Sequence, residues 1–158
     1  MKIFAAALSL AILGACASPA TIAEETDNMP KTPATSLSAV GIGVADLDVS
    51  NTFYTDVIGM RPVATFNLDY MDEIVLVMPG GGSAIVLMEW TDGSERTLGS
   101  NGIKLVLRSP DPAALAARIR DAGYEIIREP TPSEAVGGAI VGFARDPDGY
   151  LLELLPLS

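Results

Sequence analysis

The sequence predicts an α+β domain made of two βαβββ modules whose sheets form a concave cup. Three observations support this fold class. A strand-like segment with apolar residues at alternate positions is followed by a helix-like segment, and this pair occurs twice. Each pair is followed by three further strand-like segments. The last two of these are joined by the tetrapeptide D-P-D-G at residues 146–149, whose residue types favour a tight turn.

The first module begins with a strand over residues 39–44. Residues 46–50 follow, with acidic and hydroxyl side chains that can cap a helix. The helix is predicted to end at Gly59, which can adopt the left-handed conformation of a C-cap. Three more strands are then predicted, at residues 61–66, 73–78 and 84–90.

The second module has the same order of segments. Its first strand is predicted over residues 103–107, a capping segment over 109–112 and a helix over 113–121. Three strands complete it, at residues 125–129, 139–144 and 150–155.

The two modules match at a constant offset of 63 residues, which pairs Ala39 with Gly102 and Asp48 with Asp111. Each module has one helix to cover one face of its sheet, so the other face is left to the cup. Alternation assigns the helix-covered face to Val40, Ile42, Val44, Ile103, Leu105 and Leu107. Alternation likewise places Ala39, Gly41, Gly102 and Lys104 on the face of the cup. A resemblance to a known superfamily adds Val86, Met88, Leu151 and Glu153 to the predicted ligand-binding site.

The N-terminal part of the chain has the layout of an export signal. A basic start at Lys2 precedes an apolar run at residues 3–15, which is too short to span a bilayer as a helix. The run ends in L-G-A-C, which resembles the signal of bacterial lipoproteins, so we expect Cys16 to be lipidated. Ordinary cleavage at an A-x-A site around Cys16 is the alternative.

This layout divides the chain into three parts. Residues 1–16 form the predicted lipoprotein signal peptide, residues 17–36 a flexible linker rich in Pro, Thr, Ala and acidic residues, and residues 37–158 the folded domain. By the same resemblance, the residue after Cys16 is alanine and not aspartate, which points to the outer membrane. We therefore expect a cell-envelope protein that faces the periplasm and is held on the membrane by its lipid without spanning it.

Charge and cysteine content exclude two classes of interaction. The chain carries 20 acidic and 10 basic residues, a formal net charge of −10 at pH 7. This excess of negative charge repels nucleic acid, so no DNA or RNA partner is expected. The single cysteine excludes a disulfide within the chain.

Two stretches of sequence resemble a known superfamily. They are V-G-I-G-V-A-D-L-D-V-S-N-T-F-Y-T-D-V-I-G-M at residues 40–60, and A-G-Y-E-I-I-R-E-P with the D-P-D-G-Y hairpin in the second half. They resemble the vicinal oxygen chelate superfamily, which includes glyoxalase I, bleomycin-resistance proteins and ring-cleaving dioxygenases. The resemblance extends over about 120 residues and implies the same fold of paired βαβββ modules.

In the metalloenzymes of that superfamily, histidine and glutamate side chains bind a catalytic metal. The resemblance places Ala39, Val86 and Gly102 at three of the ligand positions and Glu153 at the fourth, and the chain has no histidine. One carboxylate does not hold a catalytic metal, so no metal and no cofactor are expected. Glu89, three residues beyond Val86, could restore a donor, but alternation places it on the opposite face.

Two roles are open for Glu153. It can pair with Lys104, because the two strands are adjacent in this fold and both side chains face the cup. Alternatively, it can serve as a base or as a hydrogen-bond anchor in a mostly apolar cup.

The leading hypothesis is metal-free binding or sequestration of a small organic molecule, as the antibiotic-binding members of the superfamily do. Those members build their pockets from two chains, so we expect a homodimer. The first alternative is an enzyme, a lyase or dioxygenase that depends on a metal or on Glu153. The second is a non-catalytic envelope interaction protein whose cup is filled by its own side chains.

Overall fold

The computed structural model describes residues 35–99 and 102–157. The predicted signal peptide, Cys16 and the linker up to residue 34 lie outside the described residues. Within the described ranges, no helix is long and apolar enough to cross a membrane.

The first module is a four-stranded sheet covered on one face by one helix. Its strand order is β1-β4-β3-β2, in which β1 and β4 are parallel and the other pairs are antiparallel. Helix α1 continues without a break into a π-helical segment that ends at Gly59, whose φ of +92° confirms the predicted C-cap. The elements are β1 (Ala39–Gly43), α1 (Leu47–Thr52), the π-helical segment (Phe53–Ile58), β2 (Arg61–Asn67), β3 (Met71–Val77) and β4 (Ala84–Trp90).

The second module repeats this arrangement with strand order β5-β8-β7-β6. Its first and last strands, β5 and β8, are parallel neighbours, as β1 and β4 are. The elements are β5 (Lys104–Ser109), α2 (Pro112–Asp121), β6 (Ile126–Ser133), a 3₁₀ turn (Glu134–Val136), β7 (Ala139–Arg145) and β8 (Leu151–Pro156). The predicted fold class of two βαβββ modules is confirmed.

The helix caps correct the predicted match between the modules. Asp46 caps α1 by accepting a 2.9 Å hydrogen bond from the backbone N–H of Val49, and Asp111 caps α2 by accepting a 2.9 Å bond from Ala114. Asp46, and not Asp48, is therefore the equivalent of Asp111, and the offset is 65 residues.

At this offset Ala39, the first residue of β1, matches Lys104, the first residue of β5, and the predicted match of Ala39 with Gly102 is wrong. Strand pairing agrees, because Gly41 lies opposite Val86 in the first module and Val106 lies opposite Glu153 in the second. A shift of two residues keeps every side chain on the same face of a strand, so alternation could not detect the error.

The helix-covered faces of both sheets contribute to one hydrophobic core, and we call these the inner faces. Ile42, Val44, Leu105 and Leu107 are buried there, as predicted, and Val40 and Ile103 are partly buried. Burial of each large aliphatic side chain contributes about 1.5–3 kcal/mol. The helices and remaining strands supply further core residues: Phe53, Tyr54, Leu76, Leu87, Leu115, Ile119, Leu152 and Leu154.

The turn at residues 146–149, here the D-P-D-G turn, joins the two modules. Asp146 is only 3% exposed, and its Oδ2 accepts a 2.8 Å hydrogen bond from the hydroxyl of Tyr54 in the first module. Its Oδ1 accepts from the backbone N–H groups of Tyr150 (2.7 Å) and Asp148 (3.1 Å). A buried carboxylate with three donors fixes the turn against the first module.

Asp148 makes a second connection of the same kind. Its Oδ1 accepts from the backbone N–H of Ala45 at 2.8 Å, and its Oδ2 accepts from the hydroxyl of buried Ser50 at 2.9 Å. The hydroxyl of Tyr150 donates to the carbonyl oxygen of Gly43 at 3.0 Å. The resemblance motif D-P-D-G-Y is therefore a connection between modules, located at the start of α1.

Candidate functional site

The exposed faces of the two sheets, here the outer faces, carry the residues predicted to line the cup. In the second module, Nζ of Lys104 on β5 lies 2.6 Å from Oε2 of Glu153 on β8. The Glu153 side chain is 15% exposed and that of Lys104 is 44% exposed. The ion pair proposed from the sequence is present, and it is partly shielded from solvent.

Apolar side chains surround this ion pair. Val106 lies opposite Glu153 on β5 and is 49% exposed, and Phe143 lies opposite Glu153 on β7 and is half-buried. Leu151, two residues before Glu153 on β8, is also half-buried. The outer face of the second module thus presents this ion pair among apolar side chains, and Arg108 is exposed two residues beyond Val106 on the same side of β5.

The outer face of the first module has no charged side chain at the predicted positions Ala39, Gly41, Val86 and Met88. Met88 lies across Gly41, because a Cβ on that glycine would be 3.0 Å from both Sδ and Cε of the methionine. Trp90 lies across Gly43 in the same way, with its Cζ3 at 2.7 Å from the corresponding Cβ position. The two glycines make room for these large side chains.

Arg96 extends this first outer face beyond its strands. Its guanidinium carbon lies 4.9 Å from the centre of the Trp90 ring, within the range of a cation–π contact. Neither this contact nor the cover over the glycines was predicted. The sequence offered one signal for this cover, two glycines two residues apart on β1 and two large residues, Met88 and Trp90, two residues apart on β4.

Glu89 faces away from the cup, as alternation predicted. Its Oε2 accepts a 2.9 Å hydrogen bond from the backbone N–H of Leu47, the first residue of α1. A carboxylate at that place satisfies a helix N–H group that has no partner within the helix. Glu89 therefore stabilises the start of α1 and supplies no donor to the outer face.

The donor set does not fit a metal centre. At the corrected offset, Lys104 and not Gly102 is the equivalent of Ala39 in the second module. Gly102 lies before β5 and is exposed, with a φ of +78°. A protonated lysine has no lone pair for a metal, and Val86, paired across from Gly41, has none either. Within residues 35–99 and 102–157, no three His, Cys, Asp or Glu side chains are grouped so as to hold an ion.

The pair on the second outer face is suited to recognition by hydrogen bonds. Lys104 has three N–H donors and Glu153 has a second carboxylate oxygen, so both can bind a further group. The pair can therefore hold a polar group of a ligand between the donors of Lys104 and the acceptor of Glu153.

Within one chain, the two outer faces are separate. In the described part of the chain, no hydrogen bond or ion pair joins a side chain on one outer face to the other outer face. The sheets meet through their inner faces and the helices between them.

Comparison with known proteins identifies the family. The model of the Glyoxalase/Bleomycin resistance protein/Dioxygenase superfamily matches residues 36–154. Lactoylglutathione lyase of Salmonella typhimurium is 35% identical over 116 residues, which is 71% of this chain and 85% of that protein.

Two solved structures share the fold. Glyoxalase I from Zea mays superposes with a TM-score of 0.67 at 27% identity, and the match covers 75% of this chain and 43% of that one. TnmS3, an antibiotic-binding protein from Streptomyces sp. CB03234, superposes with a TM-score of 0.65 at 20% identity, over 80% of this chain and 99% of that one. The chain belongs to the Glyoxalase/Bleomycin resistance protein/Dioxygenase superfamily.

Proposed function

We propose that the protein binds a small organic molecule without a metal, in a cup lined by its outer faces. The ion pair between Lys104 and Glu153 supports this function most directly, because the lysine ammonium lies 2.6 Å from the carboxylate where the metalloenzymes require a ligand for their ion. The ammonium of Lys104 neutralises the charge of the Glu153 carboxylate, which a bound metal ion would otherwise do.

The chemistry of the lining defines the class of ligand. Small and apolar residues on both outer faces favour an apolar or aromatic molecule. The ion pair is neutral overall and offers donors on Lys104 and an acceptor on Glu153. We therefore expect an uncharged or zwitterionic molecule with a few polar groups, and not a strong anion or a strong cation.

A homodimer completes the cup in this proposal. Because the two outer faces are separate within one chain, the first module of one protomer has to meet the second module of its partner to enclose a ligand. The antibiotic-binding protein TnmS3 shares the fold, which fits a binding role. Sedimentation at micromolar concentration is expected to give twice the chain mass of 16.5 kDa, less any cleaved signal.

The envelope location is part of the same proposal. We expect Cys16→Ser to abolish incorporation of labelled fatty acid and to move the protein from the membrane fraction to the soluble fraction. Lys2, in the basic start of the signal, provides a matched control, since Lys2→Arg keeps the charge and is expected to leave lipidation intact.

A ligand screen tests the binding function. Drug-sized aromatic compounds, uncharged and zwitterionic, would be tested for an increase in melting temperature of the wild-type protein. Hits are expected to lose most of this increase in Lys104→Met and in Glu153→Gln, and to keep it in Arg120→Met, an exposed control on α2. Hits that bind all three variants equally would contradict a site at the ion pair.

An enzyme of the lyase type is the second candidate function, and the identity to lactoylglutathione lyase favours it. The assay is turnover of the lactoylglutathione lyase reaction by the purified chain, with and without added zinc or nickel. The proposed binding function predicts no turnover above background in either condition. Turnover lost in Glu153→Gln but kept in Arg120→Met would establish the enzyme instead.

A further inference from the structure

A cavity lies at the seam between the two modules, at the end of β5 away from Lys104, and we call it the seam cavity. Its volume is about 700 Å³. The first module contributes the end of the π-helical segment and the exposed loop between β3 and β4. The second module contributes the end of β5 and the first turns of α2. Its lining consists of Ile58, Gly59, Met78, Pro79, Gly80, Gly81, Gly82, Ser83, Leu107, Arg108, Ser109, Pro110, Leu115, Arg118 and Leu157.

The charge of this lining is opposite to that of the chain. The whole chain has 20 acidic and 10 basic residues, yet the lining contains two arginines and no aspartate or glutamate. The rest of the wall is largely apolar, with Ile58, Leu107 and Leu115 continuous with the hydrophobic core. The seam cavity therefore combines an apolar wall with positive charge.

Both arginines retain donors for a ligand. Nε of Arg118 donates to the carbonyl oxygen of Val57 at 3.1 Å, and Nη1 of Arg108 donates to the carbonyl oxygen of Pro156 at 2.9 Å. Each bond holds the side chain and leaves the other guanidinium N–H groups without a protein acceptor among the described residues. No carboxylate in the described ranges forms an ion pair with either arginine.

Arg120, on the same helix as Arg118, differs from it in having a carboxylate partner. It lies two residues after Arg118 and pairs with Glu129, so its charge is neutralised within the chain. It does not line the seam cavity. An arginine without a carboxylate partner, beside an apolar wall, is the residue type that proteins use to bind carboxylate, sulfonate or phosphate groups.

We propose that the seam cavity binds an amphipathic anion, whose head group pairs with Arg118 and Arg108 and whose apolar part packs against the leucines and Ile58. A volume of about 700 Å³ lies within the usual range of about 300–1,000 Å³ for small-molecule pockets. This ligand differs in class from the uncharged or zwitterionic molecule expected in the cup. The two sites can therefore be tested separately.

The experiment uses the full chain and sodium dodecanoate as the probe, below its micellar concentration, followed by calorimetric titration. Wild-type protein is expected to bind dodecanoate with a stoichiometry of one per chain. Arg118→Met and Arg108→Met are each expected to weaken binding at least tenfold, because each removes a charged partner of the head group. Dodecanol, with the same chain and no charge, is expected to bind more weakly than dodecanoate.

Two control variants separate this site from the others. Arg120→Met lies on the same helix and Lys104→Met lies in the cup, and both are expected to bind dodecanoate as the wild type does. Absence of binding by the wild type, or equal binding by Arg118→Met and Arg108→Met, would overturn the proposal. So would loss of binding in Lys104→Met alone, because the probe would then occupy the cup.

Discussion

The inner and outer faces of the same strands have different tasks. On β8, Leu152 and Leu154 point inward and are fully buried, whereas Leu151 and Glu153 point outward and are half-buried. The inner faces meet in one core that is closed by buried hydrogen bonds of the D-P-D-G turn. The outer faces carry the ion pair of Lys104 and Glu153. Buried side chains at alternate positions therefore stabilise the fold, and the side chains between them can contact a ligand.

Substitution of neighbouring leucines on β8 tests this division first. Leu152→Ala removes a fully buried side chain and is expected to lower the free energy of unfolding by about 2–5 kcal/mol. Leu151→Ala, one residue away on the outer face, is expected to cost about 1 kcal/mol or less. Urea unfolding of both variants measures the difference, and equal losses would remove the distinction between the faces.

The D-P-D-G turn gives the next test. Asp146→Ala leaves the buried hydroxyl of Tyr54 and the backbone N–H of Tyr150 without their acceptor, which is expected to cost about 2–4 kcal/mol. Asp146→Asn keeps one oxygen for the backbone groups and an amide that can donate to the Tyr54 oxygen, so a loss of about 1 kcal/mol is expected. If chemical denaturation gives the two variants the same stability, the hydrogen bonds do not connect the modules.

The outer ion pair should matter much less to stability. Lys104→Met and Glu153→Gln are each expected to lower the free energy of unfolding by about 1 kcal/mol or less, because the 44%-exposed lysine leaves the pair only partly shielded from solvent. The double variant should show no further loss. A loss comparable with that of Asp146→Ala would mean that the outer faces also hold the fold together.

The pH dependence of stability distinguishes the faces by a smaller effect. Burial raises the pKa of Asp146 above its ordinary value of 3.8, against the opposing effect of its hydrogen bonds. As the pH rises from 3.8 towards the folded-state pKa, the unfolded chain releases this proton first, so the stability contributed by this carboxyl falls. Melting temperatures of the wild type and Asp146→Asn would be measured from pH 3 to pH 7. As the pH rises, the melting temperature of the wild type is expected to fall relative to that of Asp146→Asn.

A change in the opposite direction would contradict this assignment of the Asp146 pKa. Burial also raises the pKa of Tyr54, with the negative charge of Asp146 adding to the effect. The tyrosine therefore remains protonated and continues to donate to Asp146 throughout this range of pH.

Alternation made the fold and its faces predictable from the sequence. Ile42, Leu105 and Leu107 lie on the inner faces as expected, and Glu89 lies away from Val86. The pairing of Lys104 with Glu153 also followed from adjacent strands and a shared face. The faces follow from local periodicity, whereas the adjacency of the strands that carry Lys104 and Glu153 followed from the resemblance to a known fold.

The register between modules and the contacts across their seam were not predictable in this way. Asp46 and Asp48 are both suitable helix caps two residues apart, so the sequence alone could not choose the offset of 65 over 63. The contact of Asp146 with Tyr54 and the seam cavity both arise where the modules pack together. Packing between distant segments leaves no periodic signal in the sequence.

The corrected register leads to the most direct test of a metal-free cup. The full chain would be exposed to zinc, nickel, iron and manganese, and its metal content measured by elemental analysis. Beside it, the triple variant Ala39→His, Val86→Glu and Lys104→His supplies donors that would meet Glu153 across the proposed dimer. A matched triple variant, the Gly102→His variant, carries Ala39→His, Val86→Glu and Gly102→His and retains Lys104. The account predicts trace metal in the wild type and in the Gly102→His variant, and about one ion per chain in the first triple variant. Near-stoichiometric metal in the wild type would contradict it.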